Sequence, residues 1–428
     1  MPGLNAQQRT AVELARAGES FFLTGGAGTG KSFTVAEICS VLEACGKRVF
    51  KTASTGVAAL LLGCGGTTVH SWSGMGLGDM PVLHMVAKAS KTAAQRVRDT
   101  DALVIDEISM LHPEFFSKLE EYTRRTRKCD LPLGGIQLIA VGDFMQLPPV
   151  GAPPEAPFCF QTGAWSACLK KMVRLTQVYR QKDEAWARLL NRMRLGQVTP
   201  EDVHTLQSRV GATFPADGIE PTMLRARNSQ ADVLNESKLA ALPGREDVHV
   251  CKSACSLKRK PGLSVVQAGP APSPDVYTKM MADRSPAPAL LKLRLGASVM
   301  LLKNLDLDAG LANGSLGVVK CLSPVTVTFI GGMERVIGKE VWDIKFDAGN
   351  YVCSATVEQY PLQLAWALTI HKIQGASLDR VSVALDRSLF EFGHAYVALS
   401  RVKTLQGLHL TVFDPACIKA HPHAALMV

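Results

Sequence analysis

The sequence predicts an α/β protein with two α/β domains and a small all-β unit inserted in the second. Three observations carry this. Residues 1–185 alternate short apolar runs with helical stretches. A glycine-rich loop separates the first of those runs from the helix after it. A β-rich stretch, 318–363, interrupts a second α/β pattern that resumes at Leu364.

Each candidate strand of the first domain (Ser20–Leu23, Val49–Thr52, Ala102–Ile105, Gln137–Val141) is short, largely apolar and followed within two residues by Gly, Ser, Thr or Asp. That is the layout of the carboxyl end of a buried parallel strand, where open α/β sheets place ligands. In the second domain, Val325–Ile330, Val341–Phe346 and Tyr351–Val357 are β-rich and separated by Gly-containing turns, as in a small antiparallel barrel. Strands near Val381–Leu385 and Leu408–Val412 follow. Between 255 and 290, six prolines and the Lys258-Arg259-Lys260 run indicate a mobile insertion with a solvated basic loop; a nuclear signal is the minority alternative.

Composition narrows the class. At about 150 residues per domain, 428 residues suggest two to three domains. With 47% hydrophobic and 20% charged residues, a disordered or collagen-like chain is excluded. No apolar run approaches the roughly 18–20 residues a membrane span needs. The start, MPGLNAQQRT, lacks the layout of a secretory signal. Eleven cysteines without framework spacing indicate reduced thiols; Cys251, Cys255 and His249 lack a second pair at zinc-site spacing. A net charge of +9 admits a polyanionic partner or a merely solvated basic surface.

The sharpest motif is Gly25-Gly26-Ala27-Gly28-Thr29-Gly30-Lys31-Ser32, which fits G-x-x-x-x-G-K-S/T between the strand SFFLT and a helical stretch beginning at Phe33. Backbone N–H groups and the helix N-terminus suit phosphates. Lys31 would reach the β/γ-phosphates, and Ser32 with Asp106 would hold Mg²⁺. Glu107, beside Asp106 at a strand end, is the candidate base for water; a kinase on this fold needs no such acid. A third strand ends at Asp143-Phe144-Met145-Gln146, where Gln146 suits either a γ-phosphate contact or a loop amide in a proline-stiffened turn.

Together with LNAQQ (4–8), TASTGVA (52–58), GTTVH (66–70), VIDEISM, GDFMQLPPV, LTQVYRQ (175–181), TIHKIQG (369–375) and YVALSR (396–401), these motifs resemble superfamily 1B helicases, specifically the Pif family of DNA helicases. Residues 111–137 look like the segment that distinguishes this family. The resemblance spans about residues 4–415 and is weakest over 245–290. It implies two RecA-like P-loop domains, 1–185 and 186–428, with a wedge element near 67–80 in the first and the β-barrel in the second. It implies that Gln8 reads adenine, that Arg180 and Arg401 reach the transferring phosphoryl from opposite sides, and that Gln374 and Gly375 contact the γ-phosphate side. It places Thr55, Gly56, His70, Thr369, His371 and Lys372 along single-stranded DNA, with Trp72 and Phe144 as stacking faces or core residues. Ile373 departs from the Ser or Thr frequent in the family, which would remove a hydroxyl contact to DNA.

The expected function is an ATP- and Mg²⁺-dependent 5′-to-3′ helicase acting on duplex, RNA–DNA hybrid or quadruplex structures in genome maintenance. It is expected to be a monomer in solution, in the nucleus or mitochondrion, without long accessory regions. The alternatives are an ATP-gated single-strand or quadruplex binding protein and, less compatibly with Glu107, a small-molecule kinase.

Overall fold

The computed structural model describes residues 3–62, 65–149, 151–181, 183–215, 217–225, 227–259, 285, 287–306, 309, 311–348, 351–370, 373, 377–387 and 392–427. Its first unit is built on a parallel sheet of β1 (Phe21–Gly25), β2 (Val49–Ala53), β3 (Thr67–Thr68), β4 (Ala102–Asp106), β5 (Gln137–Gly142) and β6 (Lys171–Leu175), in the order β3-β2-β4-β5-β1-β6. The apolar runs read from sequence are its central strands. Residues of β1 and β5 are buried throughout, as a strand covered on both faces must be.

Local signals start the helices. Helix α1 (Ala6–Arg16) opens with a capping box: Gln8 N–H donates to Asn5 Oδ1 at 2.8 Å, and Asn5 N–H donates to Gln8 Oε1 at 3.0 Å. Helix α2 (Lys31–Ala44) begins after Gly30, whose φ of +85° is left-handed backbone that glycine adopts without strain.

The stretch expected as a wedge element is partly regular. Thr67–Thr68 joins the sheet edge, and α3 (Gly56–Leu61), α4 (Val69–Ser73), α5 (Val82–Lys88) and α6 (Lys91–Asp99) surround it. Arg96 donates to the carbonyls of Trp72 and Ser71, both at 2.7 Å, which fixes α4. The exposed apolar part lies further along, at Leu77, Met80 and Leu83. Helix α7 (Pro113–Arg127), from the family-like segment 111–137, supports that tip: Lys118 Nζ donates to the Gly78 carbonyl at 2.7 Å.

After α8 (Gly163–Cys168), helix α9 (Glu184–Arg194) enters a second core through Trp186, Leu189, Leu190 and Met193. This unit continues with α10 (Pro200–Gln207), β7 (Thr222–Arg225) and α11 (Asn228–Ala241). The inserted β region comprises β8 (Asp247–Val250), β9 (Lys252–Arg259), β10 (Leu290–Leu293), β11 (Ser298–Leu301), β12 (Leu316–Leu322), β13 (Val325–Phe329), β14 (Glu334–Val336), β15 (Glu340–Ala348), β16 (Tyr351–Gln359) and β17 (Leu362–Leu364). The unit closes with β18 (Ala367–Thr369), β19 (Val381–Leu385), α12 (His394–Ser400) and β20 (Leu408–Phe413). Its own sheet is parallel, in the order β18-β7-β19-β20.

The β insertion is larger than 318–363. It starts at Asp247 and forms a five-stranded antiparallel sheet, β14-β13-β12-β11-β17, and a three-stranded one, β15-β16-β9. Lys258 and Arg259 are not in a loop: they end β9, opposite Val352 and Tyr351. A flexible composition nearby hid a strand whose partner lies about a hundred residues away in sequence. Residues 260–284, most of the Pro-rich stretch, lie outside the described residues.

The two units are joined at several places. The chain end returns to the first, where Ala424 is fully buried in the core of Trp72, Phe116 and Trp165. More centrally, Arg194 at the end of α9 grips Asp143 just beyond β5, with Nη2 to Oδ1 at 2.7 Å and Nε to Oδ2 at 3.0 Å. Both side chains are buried. Burial alone would push the Asp143 carboxyl up, but the guanidinium holds it below the ordinary carboxylate range. Asp143→Asn strands a buried cation and is expected to cost about 3–5 kcal/mol in denaturant unfolding, with most of that loss recovered when Arg194→Met is added.

Candidate active site between the two units

The turn after β4 aims the acidic pair. Glu107 has φ of +50°, a left-handed conformation that costs a non-glycine residue about 1–3 kcal/mol and recurs at functional sites. Its N–H donates to Asp106 Oδ1 at 2.8 Å, and its carbonyl accepts from Ser54 Oγ at 2.6 Å. The catalytic candidate Glu107 is thus tied to the segment leading into Thr55 and Gly56.

A cavity of about 350 Å³ lies here, lined by Ala27, Gly28, Thr29, Gly30, Lys31, Ser32, Phe33, Glu107, Gln146, Tyr179, Arg180 and Arg401. The phosphate loop, the acid, Gln146 and both arginines therefore converge, although Arg401 comes from the second unit. Lys31 Nζ donates to the carbonyls of Gly25 and Gly26 at 2.8 and 3.0 Å. Desolvation lowers its pKa, opposed by Asp143, Glu107 and Asp106. Asp106 is pushed up to about 7 by burial and by the Glu107 charge. Arg180 is pushed down to about 9 by burial and by the facing Arg401 charge, and Arg401 is lowered chiefly by burial. Arginine stays protonated in proteins, so two buried guanidiniums facing one cavity favour an anion between them.

Donors for a divalent cation also fit. The Ser32 hydroxyl and the Asp106 carboxylate are hard oxygen ligands, the type Mg²⁺ takes while keeping several waters and substrate phosphates. Among the described residues no cluster of three His, Cys, Asp or Glu side chains forms a separate metal site.

Gln8 is buried beside the loop; a Cβ on Gly30 would lie 2.9 Å from its Nε2. Tyr179 was not singled out from sequence. Its half-exposed ring lies beside Gly30 at the mouth of the cavity, held by Asn5 Nδ2 donating to its hydroxyl at 3.0 Å. An aromatic residue immediately before Arg180 was the available signal.

Two expected DNA contacts are corrected. Trp72 and Phe144 are buried core residues with no face for a base: Trp72 Nε1 donates to Thr100 Oγ1 at 3.3 Å, and Phe144 packs among Phe22, Phe158, Phe160 and Trp165. Apolar burial outweighed exposure at both, as their size favours. The Thr369 hydroxyl also turns inward and donates to Asn228 Oδ1 at 3.0 Å. Ile373 is fully buried in the second core, so packing accounts for an apolar residue there. Gly56 is exposed and Thr55 partly so, at the start of α3. His70 is partly exposed and rests on Phe115, with ring centroids 4.2 Å apart. His371, Lys372, Gln374 and Gly375 lie outside the described residues.

Comparison with known proteins agrees with this arrangement. Residues 3–204 match the PIF1-like helicase model, and residues 281–322 match the 2B domain of DNA helicase Pif1. The ATP-dependent DNA helicase Pif1 of Bdellovibrio bacteriovorus is 36% identical over 98% of this chain and 90% of its own length. The chain belongs to the PIF1-like helicase family. The mouse ATP-dependent DNA helicase PIF1 is 40% identical over 98% of this chain, which spans 61% of the mouse protein. Two solved Pif1 structures share the fold. The Candida albicans helicase covers 100% of this chain and 99% of its own, at 33% identity and a TM-score of 0.75. A Bacteroides Pif1 bound to single-stranded DNA covers 99% and 95%, at 27% identity and a TM-score of 0.64.

In this PIF1-like chain the phosphate loop and Arg180 are packed without slack. A Cβ on Gly28 would overlap Arg180 Cβ and lie 3.0 Å from Gln181 Oε1, at a φ of +76°. Gly28→Ala should weaken binding of a fluorescent ATP analogue by about tenfold or more, as expected for overpacking that displaces Arg180.

Proposed function

We propose that the chain is the motor core of an ATP-dependent DNA helicase that tracks along single-stranded DNA and separates duplex ahead of it. The observation that carries the proposal is the shared cavity: nucleotide-binding and phosphoryl-contacting groups come from both α/β units. Backbone N–H groups of the loop and Lys31 would hold the phosphates. Glu107 would orient and deprotonate the attacking water. Arg180 and Arg401 would meet the charge that spreads over the transferring phosphoryl, so hydrolysis would require both units to be in place. Mg²⁺ on Ser32 and Asp106 would neutralise phosphate charge. The ring of Tyr179 and the amide of Gln8 suit an adenine at the mouth.

The DNA path would run past Thr55, Gly56 and His70, and Thr55 follows Ser54, whose hydroxyl donates to the Glu107 carbonyl, so that strand binding and water activation share the Ser54–Glu107 link. These hydroxyl, backbone and imidazole groups suit sequence-neutral phosphate contacts. Leu77, Met80 and Leu83, held up by α7, would meet the duplex junction. Opening a base-pair step costs about 1.4 kcal/mol on average, so unwinding long duplexes needs coupling to hydrolysis. Forked duplex is the substrate we favour, with RNA–DNA hybrid and quadruplex structures as further substrates, a monomer as the working unit, and a DNA-bearing compartment, nucleus or mitochondrion, as the setting in a eukaryotic cell.

Single-stranded DNA should stimulate ATP hydrolysis by the unmodified protein, and Lys31→Ala, Glu107→Gln and Arg401→Ala should each lower that rate by orders of magnitude while DNA binding persists. Hydrolysis indifferent to DNA would overturn the helicase reading. On tailed duplexes, strand displacement should require a 5′ tail; displacement from 3′-tailed substrates would reverse the proposed direction.

A further inference from the structure

The second unit touches the phosphate loop through a group that the chemistry above does not use. Tyr396, in α12, is buried and lies behind the cavity wall rather than in it. Its hydroxyl accepts from the Ala27 N–H at 2.8 Å, a contact between residues 369 positions apart. Nearby, a Cβ on Gly26 would lie 3.5 Å from the same hydroxyl and 3.4 Å from Asn191 Oδ1, so the loop backbone and the second unit are in close packing here.

Helix α12 also carries Arg401 at its carboxyl end, where Arg401 Nε donates to the Val397 carbonyl at 3.2 Å and Nη2 donates to Ser400 Oγ at 2.9 Å. The arginine is thus held against its own helix and goes where α12 goes. The same helix is seated at three places on the first unit's nucleotide-binding loops and the segment after them. Tyr396 holds Ala27. Gly393, at φ +79°, brings the helix start so near the Met145 and Gln146 carbonyls that a Cβ would lie 2.9 and 2.7 Å from them. Gln181 Nε2 donates to the Ser400 carbonyl at 3.3 Å.

We propose that Tyr396 is a positioning residue: its hydroxyl docks α12 on the phosphate loop and thereby sets the approach of Arg401 to the transferring phosphoryl. The inference rests on the ATPase reading above. It differs from a general stabilising role because the contact joins the loop that holds phosphate to the helix that carries the arginine, at a distance a single hydrogen bond defines. A hydroxyl is required, since the Ala27 N–H needs an acceptor, and phenylalanine keeps the ring and its packing while removing only that acceptor.

The test is steady-state ATPase with saturating single-stranded DNA on four proteins: unmodified, Tyr396→Phe, Arg401→Ala and the double variant, together with the affinity of each for a fluorescent ATP analogue and its melting temperature. Tyr396→Phe should lower kcat about 5- to 20-fold, the lower part of the range for leaving one buried polar group without its partner, while nucleotide affinity changes less than about twofold, since Tyr396 lies outside the cavity. In the Arg401→Ala background, Tyr396→Phe should change kcat by less than about twofold, because its action runs through the arginine. An unchanged kcat in Tyr396→Phe, or the same fold-loss in both backgrounds, overturns the proposal, as does a loss of nucleotide affinity and melting temperature in step with kcat. If the unmodified protein shows no DNA-stimulated hydrolysis, it is the helicase reading that fails, which separates the two outcomes.

Discussion

The buried ion pair between Asp143 and Arg194 is the contact on which the arrangement of the two units depends. Asp143 follows β5 and leads into Gln146, so it stands at the ligand end of the first sheet. Arg194 ends α9, whose other face is part of the second core. Neither charge has water to return to, so separating them leaves two desolvated ions rather than two solvated ones. The pair is buried between the units, unlike a surface clasp. Around it lie the softer contacts, Tyr396 on Ala27, Gly393 on the Gln146 loop and Gln181 on Ser400, each a single hydrogen bond or a close approach that a modest rotation can change.

The same interface brings like charges together in a way that only a ligand resolves. Lys31, Arg180 and Arg401 share a small cavity with Glu107, and Asp106 adjoins Glu107. Desolvation disfavours the charged form of Lys31, Arg180, Arg401 and Asp106, and the two guanidiniums repel one another. A polyphosphate with a divalent cation meets both needs, anion for the arginines and cation for the carboxylates. The strained backbone at Glu107 belongs to this picture. It places the Glu107 carboxylate on the cavity and joins that position to Ser54, hence to the segment proposed to bind the strand.

Legibility followed range. The phosphate loop, the acidic pair and the strands that present them are local patterns, and every central strand of the first sheet lies within a residue or two of its expected bounds. The β insertion was legible as β, yet not in extent: β9 pairs with β16 across a long gap, and its Lys258 and Arg259 read as loop because a Pro-rich stretch follows them. Trp72, Phe144 and Thr369 show the converse failure. A motif can place a residue beside a site, but not say whether its side chain faces the site or the core.

The residue types of the chain determined by themselves that Gly25–Ser32 would form a glycine-rich loop between a strand and a helix, that Asp106 and Glu107 would stand at a neighbouring strand end, and that two α/β units would be present. These follow from glycine's freedom at positive φ, the helix N-terminus and the period of buried strands, all set within a few residues. Tertiary structure alone decided that Arg401, some 370 residues from Lys31, shares its cavity, that Tyr396 rests on Ala27, and that Arg194 neutralises Asp143. Those contacts depend on how two cores pack against each other, and packing is decided by the whole surface in contact, which no local pattern contains.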